Sequence, residues 1–279
     1  MGRKRAGLIR IGILGFLVLL GFILVMQERN MGSEEQAVFS WFPDYTETGY
    51  NDRIIPRLKD YRIRYLFQYV MDEDFSGDAL AEFAHNLQEQ GIKLYVIFDD
   101  QDMNAETFQV FLDKVLTYRD SLGIAGIVTD IEPFSKMSDA SSSEKKETLS
   151  RLADFFEECA DAVEGRLELL HCMPTWYDQI SEKDCERIIR SGTGIILMNY
   201  HRSDMIDSIS FEYSVGRQCN IQIFSAAELG AVDGKGVTSA QNTYAGEDRR
   251  TMMHELDQVV RAYPECILTY HQLRDLIKV

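Results

Sequence analysis

Asp130 and Glu132 stand two residues apart at the end of an apolar run, in the stretch GIVTDIEPF from Gly126 to Phe134. In a β-strand, residues i and i+2 point to one face, about 6.6 Å apart along the chain. Gly126 and Val128 share that face, while Thr129 and Ile131 point to the other. Two carboxyl groups held this way repel each other, which raises the pKa of at least one. A protonated glutamic acid beside an ionised aspartate suits general acid catalysis. The plainer alternative is an ion pair with a neighbouring Arg or Lys. The inward strand positions offer few basic residues, which favours chemistry.

Other groups end apolar runs in the same way. Glu228 follows Phe224 and Ala226 at two-residue spacing, so it can reach the same mouth. Asp99 and Asp100 close one run, Gln68 lies in another, and His171, His201 and His271 follow three more. Trp41, Trp176, Tyr177 and Tyr270 offer flat aromatic faces on which a ligand could stack. Three histidines beside carboxylates also fit zinc or manganese in principle. No His-x-His follows the first run, however, and no two histidines have the i, i+4 helical spacing. The expectation is therefore no metal and no cofactor.

These side chains need a frame. Eight short apolar runs occur at 37–42, 65–70, 93–98, 124–131, 167–172, 194–200, 221–226 and 266–270. They are apolar on both faces, as in parallel strands covered on either side. Helical patterns fall between them: 75–90, capped by Ser76 and ended by Gly91; a run from Asn104 to Tyr118; 141–163, opened by Ser141–Ser143 and ended by Gly165; and 243–263, stopped by Pro264. Eight strand–helix units in about 240 residues predict an α/β fold, a closed (β/α)8 TIM barrel over residues 37–279. A doubly wound open sheet is the runner-up, but no glycine-rich dinucleotide turn follows any strand.

The first thirty residues differ from the rest. Arg3, Lys4, Arg5 and Arg10 precede residues 11–26, which carry no charge. Such a run spans roughly 24 Å as a helix, slightly short of a ~30 Å hydrocarbon core, and Gly7 to Ile9 extend it. No small-residue cleavage site follows. The pattern predicts one N-terminal transmembrane helix within residues 1–30, with a cytoplasmic basic tip and a linker over 31–36. The protein would be single-pass in the cell membrane, with an extracytoplasmic barrel whose strand C-termini open away from the bilayer. The whole chain is −16, and residues 1–30 hold five Lys/Arg and one Glu, so the remainder carries −20. That field excludes nucleic acid as a partner and disfavours polyanionic glycans, while it favours cationic ligands. Five cysteines lie in the body without a Cys-x-x-Cys pair; a Cys219–Cys266 bridge between neighbouring strand bottoms is geometrically open.

On these motifs the chain resembles (β/α)8-barrel glycoside hydrolases, particularly the chitinase-like family 18. Asp130-Ile131-Glu132 is similar to the last part of that family's D-x-x-D-x-D-x-E strand end, and Met198-Asn199-Tyr200 to its M-x-Y. Ser40-Trp41-Phe42-Pro43 is similar to its aromatic first-strand end. The resemblance implies that Glu132 protonates the glycosidic oxygen, Asp130 orients a substrate acetamido group and Tyr200 hydrogen-bonds the reactive intermediate. Ala125 and Val128 replace the two earlier aspartates, and His201 stands where the family has Asp. Glu132-Pro133 with Glu228 also resembles retaining barrel glycosidases that carry an acid/base Glu after strand 4 and a nucleophilic Glu after strand 7. Retaining chemistry needs the carboxyl groups about 5–5.5 Å apart, and inverting chemistry about 6.5–9.5 Å.

The resulting expectation is a membrane-anchored extracytoplasmic glycoside hydrolase acting on a cell-surface or extracellular polysaccharide. Glu132, Asp130 and Glu228 would be catalytic. Tyr200, Trp41, Trp176, Tyr177, His171, His201, Gln68, Asp99 and His271 would bind substrate. The alternatives are a metal-dependent hydrolase, such as a polysaccharide deacetylase, and a non-catalytic sugar-binding barrel.

Overall fold

A computed structural model describes residues 35–136, 139–232 and 241–278. Eight parallel strands close a barrel in sequence order: β1 Gln36–Ser40, β2 Ile63–Gln68, β3 Lys93–Phe98, β4 Ile124–Thr129, β5 Glu168–Pro174, β6 Gly194–Met198, β7 Gln222–Glu228 and β8 Cys266–His271. Both ends of every strand lie within two residues of its apolar run, whose β-branched and aromatic residues fill both faces. The helices are α1 Tyr50–Asp60, α2 Asp78–Glu89, α3 Ala105–Leu122, α4 Ser142–Val163, α5 Tyr177–Ser191, α6 Ser210–Cys219, α7 Arg249–Ala262 and α8 Leu273–Leu276.

Two apolar layers hold the barrel. Alternate strand residues such as Phe39, Phe67, Tyr95, Val128, Leu170 and Phe224 fill the lumen, and the others pack outward against the helices. Near the bottom, Tyr95 Oη donates to Glu168 Oε2 at 2.6 Å and Lys93 Nζ contacts Glu168 Oε1 at 2.8 Å. Gly126 makes room for this packing. A Cβ there would overlap the Glu168 carbonyl oxygen and lie 2.8 Å from Tyr95 ring carbons. Gly126→Ala is therefore expected to destabilise the fold by about 1–3 kcal/mol, read as a lower midpoint in denaturant. An unchanged midpoint would show that the lumen has slack.

Local capping follows the sequence where side chains can reach the helix end. Asn104 Oδ1 accepts from the amides of Glu106 and Thr107, and Ser141 with Glu144 forms a reciprocal capping box. Two helix starts differ from expectation. Ser76 ends a 3-10 turn, and α2 starts after Gly77 without a side-chain cap. Helix α7 begins at Arg249, not Thr243, because Asp248 caps it. Thr243 instead bridges to Glu228 and donates its hydroxyl to the Gly230 carbonyl at 2.7 Å.

All five cysteines are free, so the open Cys219–Cys266 bridge is not formed. Cys266 is buried against the helix layer, while the Cys219 thiol sits 3.2 Å from Arg190 Nη1. The expected N-terminal membrane helix and most of its linker lie outside the described residues. Among the described residues, no helix is long and apolar enough to cross a membrane.

Candidate active site

At the C-terminal mouth of the barrel is a cavity of about 250 Å3. Its wall includes Trp41 from the end of β1, Asp99 beyond β3, Asp130 and Glu132 beyond β4, Tyr200 beyond β6, Glu228 of β7 and His271 of β8. Strand parity puts them there. Asp130 continues the inward series Gly126, Val128, and Glu228 continues Phe224, Ala226. A larger hollow of about 590 Å3 lies at the α1–α8 edge, where most of its charges already form ion pairs.

The Asp130–Glu132 segment is fixed through its backbone. The Asp130 amide donates to the Phe98 carbonyl at 2.8 Å. Gln101 clamps the following turn: its Oε1 accepts from the Glu132 amide at 2.7 Å, and its Nε2 donates to the Asp130 carbonyl at 3.0 Å. Asp130 is 8% exposed, and its Oδ1 has no hydrogen-bond partner among the described residues. Burial, followed by the Glu132 charge, pushes the Asp130 carboxyl up to about 7; His271 and the Cys172 thiol offset part of that. Glu132 is more open. Its carboxyl is also raised by partial desolvation, with His271 opposing. Burial likewise raises Asp99. Asp130 thus retains its proton at mildly acidic pH, and the other two carboxyls are shifted in the same direction.

The opposite wall is a hydrogen-bonded chain. Glu228 and His271 are register partners on β7 and β8, which places His271 Nδ1 2.8 Å from Glu228 Oε2. Glu228 Oε1 accepts from the Gly230 amide at 2.5 Å. Trp41 Nε1–H donates to His271 Nε2 at 2.9 Å. Indole nitrogen only donates, so Nε2 must be the acceptor and Nδ1–H donates to Glu228. Burial lowers the His271 pKa, but the Glu228 hydrogen bond and the surrounding carboxylates outweigh it, and the net shift is upward. Protonating Nε2 would cost the Trp41 bond. Tyr200 lies close by, its ring 5.9 Å from His271. Burial and then the nearby Cys172 thiol and carboxylates raise its phenol pKa well above the ordinary value, so it remains a donor.

Five expected binding residues are placed elsewhere. His171 occupies an outward position of β5, stacked on Phe156 of α4 at 4.1 Å. Its Nδ1 contacts Thr129 Oγ1 at 2.7 Å and its Nε2 contacts Ser191 Oγ at 3.1 Å; burial lowers its pKa to about 3. It is a neutral packing residue between sheet and helices. Gln68 is also turned outward and buried, its Nε2 donating to the carbonyls of Phe42 and Tyr69. Tyr177 is fully buried at the start of α5, so neither ring face can receive a sugar. Trp176 is 38% exposed but packs edge-on against Phe134 at 5.2 Å, away from the cavity wall. His201 is exposed outside that wall, beside Arg202, which is held by Glu247 and Glu255. Tyr270 also faces outward and donates to Gln36 Oε1.

Cys172, Gln101 and Asn242 line the cavity without having been expected there. Parity along β5 marks Cys172: it shares the lumen side with Leu170, and His171 does not. Gln101 and Asn242 come from loops, where periodicity gives no signal. Among the described residues, no group of three or more His, Cys, Asp or Glu side chains is arranged to hold a metal ion.

No protein-family model matches the chain, and no curated protein sequence matches it. Solved structures do. A GH18 chitinase from Pseudoalteromonas aurantia is 10% identical, with a TM-score of 0.54 over 87% of this chain and 97% of that one. An endo-1,4-beta-D-mannanase from Thermotoga petrophila RKU-1 is 10% identical, with a TM-score of 0.51 over 85% and 87%. A D-psicose 3-epimerase is 12% identical, with a TM-score of 0.52 over 88% and 89%. Such identities establish architecture alone: the chain has the (β/α)8 barrel that glycoside hydrolases share with enzymes of other chemistries.

Proposed function

We propose that the barrel hydrolyses glycosidic bonds, with Glu132 as the proton donor. The carrying observation is that Asp130, Glu132 and Glu228 line one cavity with Trp41 and Tyr200. Glu132 protonates the leaving-group oxygen. Asp130, at its side, shares the charge and orients the sugar. Glu228, held by Gly230 N–H and His271, keeps a fixed carboxylate to stabilise or attack the developing positive anomeric carbon. Tyr200 donates to a ring substituent, and Trp41 supplies an apolar face. The chitinase and mannanase structures support this reading by showing that such a barrel accommodates the chemistry.

The test is product release from a panel of cell-surface glycans. Carboxylate chemistry predicts that EDTA leaves turnover unchanged. Loss with chelator and recovery with zinc or manganese would overturn the mechanism in favour of a metal hydrolase. The anomer of the first-released sugar, read by NMR, separates retaining from inverting displacement.

The location is part of the same proposal. The uncharged run 11–26 behind a basic tip supports an anchor, with the acidic barrel outside the membrane. Protease added to intact cells should then remove the barrel. Protection that persists until the cells are lysed would place it inside.

A further inference from the structure

Among the described residues, the lining of the proposed catalytic cavity holds no Lys or Arg, yet four carboxyl groups face it: Asp99, Asp130, Glu132 and Glu228. His271 is the one basic lining residue among those described, and its Nδ1–H is already given to Glu228. Glu228 is also bonded by an amide. Two lining residues keep a buried oxygen without a partner among the described residues, the Asn242 amide and the Asp130 carboxyl, and of these Asp130 is the one that can carry charge. It is more than nine-tenths buried, accepts from the Cys172 thiol, and keeps Oδ1 without a partner among the described residues although the atom is shielded from solvent. A buried carboxylate oxygen without a donor is costly: Asp130 meets that cost by holding its proton up to about pH 7, and an occupant of the cavity that brings a donor can take the proton's place.

The acidic character extends beyond this cavity. A groove of about 410 Å3 shares Asp99 with it and is also lined by Asp72, Glu73 and Asp100. Lys114 is the basic side chain on that groove, and its Nζ is held by Asp72 at 2.7 Å. The two hollows therefore adjoin at Asp99, and the described lining of each carries an excess of negative charge. The rest of the barrel reinforces it, since residues 31–279 carry −20.

An acetamido group brings one N–H donor and also a carbonyl oxygen, which needs a donor of its own. An ammonium group brings three donors, no acceptor and a positive charge. The Asp130 side of the wall supplies acceptors and negative charge, so it matches the second group better. The geometry points to a substrate whose sugars are hexosamines with free, protonated amines: one ammonium at Asp130 Oδ1, and the next along the chain over Asp99 and the adjoining groove. This names the substrate class of the proposed glycosidase site and rests on that reading. A bound ammonium also relieves the repulsion among Asp99, Asp130 and Glu132, so the substrate itself completes the charge balance of the site.

The experiment is calorimetric titration of the full-length protein carrying Glu132→Gln, in detergent, with oligomers of glucosamine and of galactosamine. Each oligomer is tested as the free amine and in its N-acetylated form. At least one free-amine oligomer should bind 10-fold or more tightly than its N-acetylated partner. That preference should shrink as salt is raised, and adding Asp130→Asn should remove it. Equal or tighter binding of every N-acetylated form overturns the inference, as does a preference that survives Asp130→Asn. The reaction is scored separately with wild-type protein. Glu132-dependent cleavage of N-acetylated oligomers would retain the hydrolase and overturn the ammonium site. Tight, Asp130-dependent binding of free-amine oligomers without cleavage would retain the ammonium site and overturn the hydrolase.

Discussion

Glu132→Gln should lower kcat/KM on the cleaved glycan by about 10²–10⁴-fold while leaving the denaturation midpoint nearly unchanged. The asymmetry comes from how the residue is held. Its position depends on its backbone amide, which donates to Gln101 Oε1 at 2.7 Å, and the substitution preserves that bond. The side chain is exposed at the mouth, so glutamine removes a proton donor without opening a cavity in the core. If the variant turned over normally, Glu132 would not be the acid. A large loss of stability would show that the carboxylate has a structural role. Gln101→Ala provides a companion measurement. It leaves the carboxyl in place but frees the turn, so turnover should fall by less than in Glu132→Gln.

The second large effect is on stability as a function of pH. Asp130 is raised to about 7, and Glu212, fully buried on α6, to about 8. Burial is the main cause for each. For a carboxyl raised on folding, the native state holds a proton that the unfolded chain has already released. Its stabilising share is complete below the ordinary carboxylate pKa and is lost as pH rises to the folded value. Each group therefore destabilises the fold between about pH 4 and pH 7–8, with an upper bound on the order of 4 kcal/mol. His171 acts in the opposite sense. With its pKa lowered to about 3, it favours folding as pH rises from about 3 to 6.5 and then contributes no further slope. The two carboxyls outnumber it, so the net trend is a loss of stability from pH 5 to pH 8.

Glu212→Gln isolates one of these contributions away from the cavity. The Cys185 thiol donates to Glu212 Oε1 at 3.9 Å, and Oε2 has no partner among the described residues. Compared with the native protein, the variant should gain ground steadily from pH 5 to pH 8 in urea melts. Parallel curves for the two proteins would mean that Glu212 is ionised in the fold at neutral pH. Asp130→Asn should produce the same trend over a lower window, and it also disables the proposed sugar contact.

Sequence alone determined the barrel and the strand-borne part of its mouth. Eight runs apolar on both faces, alternating with helical patterns, predict parallel strands covered by helices, and two-residue parity then carries Asp130, Glu132 and Glu228 to the lumen side. Trp41, Asp99 and His271 were legible from their place at strand ends and Tyr200 from the M-x-Y resemblance; each lies at or just beyond a strand end and lines the cavity. Applied to β5 and β2, parity also assigns His171 and Gln68 to the helix side; proximity to a strand end was misleading without it.

Only the tertiary structure decided the rest, because those contacts join residues far apart in the chain. The Trp41–His271 hydrogen bond spans 230 positions and closes the barrel between its first and last strands. The Glu228–His271 contact depends on strand register, which no local pattern fixes. That Asp130 Oδ1 has no partner among the described residues is a property of the enclosure around it, which brings together groups from several strands and loops. Gln101 and Asn242 enter from loops, whose paths are set by what they pack against and not by a repeating pattern.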